Sequence, residues 1–337
     1  MAHRRSLSLH PVPSSALPGT SRDGWLPGLA IFGYVSDLDV VTGAFSYSGK
    51  AIAAALLASG RRVRTLTGHP ERAHPTSSVE VRPLDFTDPH GLAASLEGCQ
   101  TLFNTYWARF ARGRVNHDVA VSNSKILFDA AKRAGVERVV HVSITHPDVA
   151  SPLSYFRGKA LVESALSQSG LPHSVLRPAI LFGGDGVLIN NIAWLLRRLP
   201  MFAIGGSGDY RVRGIHVDDL ARLCLVEAEA TGDHVLDAVG PERPTFLELV
   251  VWVRDAVGSR AAVYRVPGPL LVAVSRTLGY ALHDVLLTRD EYLALARGLA
   301  DTDGPATGTT KLSEWLEENS SQLGLRYANE LDRHFNR

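Results

Sequence analysis

From residue 38 to residue 178, short apolar runs rich in β-branched residues alternate with longer segments of helical periodicity. The short runs predict strands at 38–42, 62–67, 79–84, 101–104, 138–143 and 174–176. The segments between them predict helices at 50–59, after Asp88, around 119–134 and at 155–169. Strands separated by helices of this length favour parallel pairing with right-handed crossovers. The pattern therefore predicts an α/β fold built on a doubly wound parallel sheet.

Beyond Phe182 the alternation gives way to a mostly helical pattern. Asp218 is expected to cap a helix over 220–230, and 234–239 is expected to add a strand. Two further helix starts have the capping-box spacing, Thr245 with Glu248 and Thr288 with Glu291. This change of pattern indicates a second region that covers a cleft on the sheet.

Three segments follow from these patterns. Residues 1–36 hold several arginines and prolines but no continuous apolar block, which predicts a disordered N-terminal extension, with a targeting peptide as the alternative. Residues 37–185 are predicted to form the sheet domain. Residues 186–337 are predicted to form a smaller, mostly helical region, with 214–240 returning to the sheet domain.

Composition narrows the function classes. The chain has 337 residues, of which 45% are hydrophobic and 20% charged, as is typical of a soluble globular enzyme. A net charge of +1 argues against a nucleic-acid-binding polycation. Two cysteines cannot form a disulfide framework, and the 13 histidines show no metal-ligand spacing. No apolar run reaches the roughly 18 residues that span a bilayer. We therefore expect a cytoplasmic protein with no metal site and no transmembrane segment.

A glycine turn lies between the first strand and the first helix. A nucleoside triphosphate loop needs four residues between its glycines and a hydroxyl after the lysine. Here five residues separate Gly43 from Gly49, and Ala51 follows Lys50, so that interpretation fails. The dinucleotide turn, which sets a pyrophosphate on a helix N-terminus, fits except that Ser46 replaces its central glycine. A tight turn without a ligand is the alternative.

The second predicted strand bears on the choice of nucleotide. An acidic residue at its end would bind the ribose hydroxyls of NAD, but residues 61–70 contain none. The basic residues in and just beyond this segment are Arg61, Arg62, Arg64, His69 and Arg72. Basic residues around this strand end slightly favour NADP(H) over NAD(H), because they can bind the 2′-phosphate. Alternatively, these side chains only solvate an edge of the sheet.

Tyr155 and Lys159 are four residues apart at the start of a predicted helix, so they share a face. A neighbouring ammonium favours the phenolate, which would let Tyr155 exchange a proton while a hydride moves. Ser143 ends the fifth predicted strand, at the edge where parallel sheets bind ligands, and could hold the substrate oxygen. A surface tyrosine beside a solvated lysine is the alternative.

These features together resemble the short-chain dehydrogenase/reductase superfamily, in its extended and atypical branches: nucleotide-sugar epimerases, NmrA-like proteins and the Rossmann-like accessory subunit of respiratory complex I. The likeness spans about residues 37–330. The motifs that carry it are Thr42 to Gly49, Leu84 to Asp88, Asn104-Thr105, Ser143, Tyr155 to Lys159, Arg177 to Gly183 and His216 to Ala221. The resemblance implies a Rossmann fold, NAD(P) as cofactor and Ser143, Tyr155 and Lys159 as catalytic residues. The cofactor-binding residues it implies are Gly43, Phe45, Ser46, Tyr47, Gly49, Arg64, Asp85, Phe86, Asn104, Lys159 and Pro178.

Two departures from the family pattern concern the cofactor. Ser46 alters the glycine turn, and Gly68 stands where atypical relatives often place an arginine for the 2′-phosphate. A third, Gly158 in place of the serine that often precedes the lysine, is expected to change little.

The implied function is an NAD(P)-dependent oxidoreductase or epimerase. The alternative is a non-catalytic NAD(P)-binding redox sensor or assembly subunit. The partner expected is a small-molecule substrate, and the superfamily makes a homodimer plausible. Several large apolar residues, more often found in a core, could instead line a pocket for a bulky apolar substrate: Tyr106, Trp107, Phe110, Trp194, Met201 and Phe202.

Overall fold

The computed structural model describes residues 38–74, 77–110 and 115–334. The extension predicted at 1–36 lies outside the described residues. The strands are β1 (Leu38–Thr42), β2 (Arg62–Thr67), β3 (Glu80–Pro83), β4 (Thr101–Asn104), β5 (Arg138–Val142), β6 (His173–Pro178), β7 (Ile180–Phe182), β8 (Met201–Gly205), β9 (Gly214–His216), β10 (His234–Ala238) and β11 (Ala262–Val266). The helices are α1 (Tyr47–Ala58), α2 (Pro89–Leu96), α3 (His117–Arg133), α4 (Ser154–Ser169), α5 (Val187–Arg198), α6 (Val217–Ala228), α7 (Phe246–Ala256), α8 (Gly268–Leu282), α9 (Arg289–Ala296), α10 (Leu312–Asn319) and α11 (Glu330–His334).

Seven strands form one parallel sheet in the order β3-β2-β1-β4-β5-β6-β10. The order reverses between β1 and β4, which is where open α/β sheets bind ligands. The predicted doubly wound α/β fold is confirmed. The central strands are apolar because both sheet faces are covered: every residue of β1 and of β5 is buried.

Each face of the sheet has its own core. Leu102, Leu127 and Leu166 belong to the cluster under α2, α3 and α4. Ile52 and Leu220 belong to the cluster under α1 and α6. These two layers hold the carboxyl ends of the strands in register at one edge.

A third core lies in the C-terminal region. It packs α5, α7 and α10 together around Phe182, Leu249 and Leu316. Two small parallel pairs, β7 with β9 and β8 with β11, were not predicted because each joins segments far apart in sequence. The C-terminal region thus has its own hydrophobic core beside the main sheet.

The predicted helix starts have mixed outcomes. Both capping boxes are present, at Thr245 and at Thr288. The prediction that Asp218 is an N-cap is wrong: α6 begins at Val217, three residues before the predicted start at 220, and His216 is the cap, its Nδ1 accepting the Asp218 N–H at 3.2 Å. No helix within the described ranges is both long and apolar enough to cross a bilayer. Nor do the described residues include three or more potential ligands placed to hold a metal ion.

Candidate dinucleotide site and adjoining cavity

The glycine turn after β1 is tight, and glycine is needed at both of its ends. Gly43 has a φ of 68°, a left-handed conformation that favours glycine. A Cβ at Gly49 would overlap the Gly43 carbonyl oxygen. The Ser46 hydroxyl donates to that same carbonyl at 2.6 Å, so serine is compatible with the turn. The replacement of the central glycine therefore leaves the turn closed.

The N-terminus of α1 points out of this turn. Ser46 is its N-cap, but the hydroxyl donates to Gly43 and caps no backbone N–H of the helix. An uncapped N-terminus has a partial positive charge and free N–H groups, which suit a diphosphate. On this observation the turn fits the phosphates of a dinucleotide.

A large cavity adjoins the turn. It has a volume of about 1990 Å³ and a mostly apolar wall. The sequence-predicted residues Phe45, Ser46, Tyr47 and Tyr155 all contribute to the wall. So do Ala179 to Leu181, which follow β6, and much of α5 and α8. The cavity thus joins the phosphate turn to the predicted acid/base and to the C-terminal region.

Tyr155 and Lys159 lie on one face of α4, and both contact the indole of Trp107. The Tyr155 ring meets the indole edge-on with centroids 5.7 Å apart. The Lys159 Nζ lies 4.8 Å from the indole centroid and donates to the Val142 carbonyl oxygen at 2.8 Å. The prediction that Tyr155 and Lys159 share one face of the helix is confirmed. Lys159 is buried, and neither it nor Trp107 lines the cavity.

The electrostatics of this pair differ from the expectation. Burial raises the pKa of Tyr155 to about 12; the charge of Arg109 opposes this shift and that of Glu291 adds to it. Burial lowers the pKa of Lys159 to about 7, which the nearby Glu163 partly counteracts. In the protein alone the phenol pKa therefore shifts upward, and Lys159 is not among the groups that shift it; the lowering expected with a bound cofactor stays a prediction. Among the described residues, the Tyr155 hydroxyl has no hydrogen-bond partner.

Ser143 is engaged by an ion pair behind the cavity wall. Its hydroxyl donates to Glu163, and Glu163 accepts from Arg177 at 2.5 Å. Ser143 is buried and lies outside the cavity lining. The structure therefore places this predicted catalytic residue close to α4 but does not bring its hydroxyl to the cavity.

The remaining predicted cofactor residues fall into two groups. Asp85 and Phe86 follow β3 at the edge where the strands end, and Asp85 is exposed, its carboxylate accepting the Thr87 N–H at 2.8 Å. Asn104 and Pro178 are buried: the Asn104 side chain accepts from Thr42 Oγ1 at 3.2 Å, and the Pro178 carbonyl accepts from Thr145 at 3.1 Å. Only the first group faces outward from the strand ends.

Arg64 lies apart from the other predicted residues. Its guanidinium donates to the carbonyl oxygens of Ser95 and Glu97, at 3.0 Å each, and pairs with Glu80. Those carbonyls belong to the C-terminal end of α2, which leads into the start of β4. The structure does not bring Arg64 to the turn, whereas Arg72 lines the cavity.

Sequence reasoning missed the residues that surround Tyr155. His117 stacks on Trp107 with ring centroids 5.6 Å apart, and its Nδ1 lies 2.9 Å from Ser154 Oγ. Arg109 pairs with Glu291 at 2.8 Å. One sequence signal was available: a Cβ at Gly158 would lie 2.7 Å from the Trp107 ring. The replacement of the family's serine by Gly158 was expected to have little effect, but the absence of a side chain there lets the Trp107 indole reach Lys159.

Comparisons with known proteins agree with this fold. Residues 43–192 match the model of a family described as NAD(P)H-binding. The uncharacterised protein y4nG of Sinorhizobium fredii is 22% identical over a 319-residue alignment that covers 85% of this chain and 80% of that protein. A 4-hydroxy-2-methyl-3-oxo-4-farnesyl-3,4-dihydroquinoline-1-oxide ketoreductase of Stigmatella aurantiaca is 27% identical over 259 residues, covering 67% of this chain and 75% of the ketoreductase. Among solved structures, a triphenylmethane reductase from Citrobacter sp. matches with a TM-score of 0.70 and 18% identity, covering 85% of this chain and 99% of the reductase chain.

The fold, the glycine turn and the family match make this chain similar to NAD(P)H-binding proteins of the Rossmann type. Its similarity to the extended and atypical short-chain dehydrogenases/reductases, expected from the motifs, is confirmed.

Proposed function

We propose that this protein is an NAD(P)H-dependent reductase of a bulky apolar carbonyl or dye-like substrate, with Tyr155 as the proton donor. The observation that carries the proposal is the Tyr155 hydroxyl, which has no hydrogen-bond partner among the described residues. Its side chain forms part of the wall of an apolar cavity that also reaches the glycine turn. A phenol in that position can serve a substrate in the cavity.

The roles of the residues follow from their placement. A bound reduced nicotinamide would supply the hydride. The turn from Gly43 to Gly49 and the N-terminus of α1 would hold the diphosphate. A phenol whose pKa is about 12 is protonated at neutral pH, so Tyr155 can donate a proton to a carbonyl oxygen while the hydride adds to the carbonyl carbon. In this proposal the region from 186 to 337 supplies the apolar part of the substrate pocket.

Two observations favour a reductase over an epimerase of nucleotide sugars. The cavity wall is mostly apolar, whereas a sugar nucleotide needs many polar partners. The farnesyl-bearing compound in the ketoreductase's name and the triphenylmethane compound in the solved structure's name are both large and apolar. These names support, for this chain, a substrate of the same general character.

The test is nucleotide oxidation followed by absorbance, with a panel of aromatic ketones, triarylmethane dyes and nucleotide sugars. We expect turnover with an apolar member of the panel. Tyr155→Phe should lower the turnover of a ketone by at least about a hundredfold, because the proton goes to the carbonyl oxygen and general acid catalysis typically contributes that much. Its affinity for NADPH should be unchanged. Full activity in Tyr155→Phe would contradict the assigned role.

A second candidate, a non-catalytic NAD(P)-binding protein, is favoured by one observation. Lys159 lies under Trp107, and Ser143 donates to Glu163, so two of the three family catalytic side chains are occupied within the protein. This candidate predicts nucleotide binding without turnover across the panel. Turnover that depends on Tyr155 would exclude it.

A further inference from the structure

The helix α8 is predominantly apolar and yet largely exposed. Its only side chains with polar groups are those of Ser275, Arg276, Thr277 and Tyr280. Gly268 and Gly279 are its only buried residues. A helix that is apolar all round is normally buried in a protein core or in lipid. The exposed surface of α8 therefore requires an explanation.

Two neighbouring stripes run along this helix. Leu271, Ser275 and Leu278 are spaced by four and three residues, are half-buried and line the cavity. Leu270 and Val274 are four residues apart, about half exposed at 50% and 49%, and also line the cavity. One apolar surface thus continues from the interior of the cavity to the outside of the molecule.

The adjoining strands enlarge this surface. Met201 at the start of β8 and Tyr264 in the paired β11 are 57% and 55% exposed, and both line the same cavity. Leu199, just before β8, is 38% exposed and lines it as well. A continuous exposed apolar patch around a cavity mouth is typical of a protein or membrane interaction site.

Positive charge predominates around α8. From residue 260 to residue 289 the charged side chains are Arg260, Arg265, Arg276, Arg289 and Asp284. The four arginines are exposed. Asp284 is buried, and its carboxylate accepts from the Tyr327 hydroxyl at 2.6 Å and from backbone N–H groups of α11. The acidic neighbours of this segment are Asp209, 3.9 Å from Arg265, and the exposed Asp290 next to Arg289, so four exposed arginines face two exposed carboxylates and positive charge predominates.

We propose that the α8 face, defined as Leu199, Met201, Tyr264, Leu270, Val274 and Tyr280, docks on the surface of an anionic lipid bilayer. Apolar side chains of an exposed helix insert at the headgroup boundary, and flanking arginines attract anionic lipids. Both elements are present here, and they surround a cavity whose mouth would then open toward the bilayer. A lipophilic compound could pass from the membrane into the cavity without crossing water.

The docking does not depend on the proposed reductase activity, whereas its use for substrate delivery rests on that function. Vesicle binding needs neither nucleotide nor turnover. A failure of docking and a failure of the reductase proposal can therefore be distinguished.

The experiment is flotation of the full chain with vesicles of phosphatidylcholine alone, or with about a third phosphatidylglycerol, at low and high salt. The test variant is the double change Leu270→Asp and Val274→Asp. Its matched control is Val226→Asp with Val235→Asp, two valines that are 65% and 53% exposed on α6 and β10. All variants are checked for folding by circular dichroism.

A second variant tests the charges alone. Arg265→Glu with Arg276→Glu reverses two exposed arginines, and Arg133→Glu, an exposed arginine on α3, is the control. Because one arginine near an anionic surface contributes about fivefold in affinity, the double reversal should weaken binding by at least about twentyfold.

We expect the wild type and both controls to float with the anionic vesicles at low salt and to be released at high salt. Both test variants should lose at least about nine-tenths of that binding. Three results would overturn the proposal: no binding by the wild type, binding that survives in both test variants, or sedimentation showing a dimer that Leu270→Asp with Val274→Asp abolishes. The last result would assign the face to a second copy of the chain.

Discussion

The two ends of the candidate nucleotide site are built differently. At the phosphate end, the turn between Gly43 and Gly49 is defined by its backbone, is closed by the N–H and hydroxyl of Ser46 donating to the Gly43 carbonyl, and is adjacent to the cavity. At the other end, the groups predicted to meet the nicotinamide and its ribose are side chains with other partners. Lys159 lies under Trp107, and Ser143 donates to Glu163.

This difference shows which end of the site already has its binding geometry before a nucleotide binds. A backbone turn cannot be diverted to other partners, so the phosphate end is ready to bind. Side chains buried without a ligand must satisfy their polar groups within the protein, as Lys159 does through the Val142 carbonyl. Binding at that end therefore requires these side chains to exchange their present contacts for contacts with the nucleotide.

The largest effect is expected at the phosphate end. Gly49→Ala should weaken binding of NADH and NADPH by at least about a hundredfold, because its Cβ overlaps the Gly43 carbonyl and opens the turn. Gly68→Ala is the matched control, since nothing lies within 4 Å of its Cβ. Calorimetric titration measures both. Equal affinities in the two variants would contradict the claim that the turn binds the diphosphate in a preformed geometry.

At the other end, the buried Lys159 should make stability depend on pH. Its pKa is about 7 in the folded chain and near its ordinary value in the unfolded chain. Between these values the unfolded chain binds more protons, so stability rises with pH above about 7; below that the cost of the buried charge is fully present.

Denaturant titrations at several pH values from about 7 to about 10 measure this rise. Lys159→Met should remove a contribution on the order of 2 kcal/mol to the rise, whereas Lys132→Met, at an exposed lysine, should leave it unchanged. An identical pH profile in Lys159→Met would show that the ammonium is not buried as described.

The indole over Lys159 should oppose nucleotide binding. If it must leave Lys159 before a ribose can reach the ammonium, Trp107→Ala should tighten NADPH binding by about tenfold, the equivalent of one cation–π contact. Trp194→Ala, which removes an indole that stacks on Arg198, is the control. Weaker binding in Trp107→Ala would instead place the indole within the nucleotide site.

The smallest effect concerns the choice between cofactors. Arg72 lines the cavity, whereas Arg64 is held by carbonyls of α2. Arg72→Ala should weaken NADPH about fivefold more than NADH, as expected for one solvent-exposed charge pair. Arg64→Ala should lower stability without changing that ratio. A larger change of the ratio in Arg64→Ala would restore the role predicted from its sequence position.

Local patterns predicted the parts of the molecule that depend on near neighbours. The bounds of β1, β2 and β4 agree with the prediction; every residue of β1 and β4 is buried, so these two runs end sharply. The turn followed from the spacing of its glycines. The shared face of Tyr155 and Lys159 followed from helical periodicity.

Contacts between distant segments could not be predicted in the same way. Trp107 reaches Lys159 from the loop after β4, and Arg64 is engaged by a helix that follows it by some 30 residues. The closeness of Glu163 to Lys159 could have been predicted, because Glu163 lies four residues after Lys159 on the same helix. The cytoplasmic location and the homodimer stay predictions.

Calorimetric titration of the wild-type chain with NADPH and NADH tests the central claim most directly. The account predicts binding of one nucleotide per chain, lost in Gly49→Ala and kept in Gly68→Ala. Absence of heat with both nucleotides, from a folded chain, would contradict the dinucleotide site and every role assigned around it.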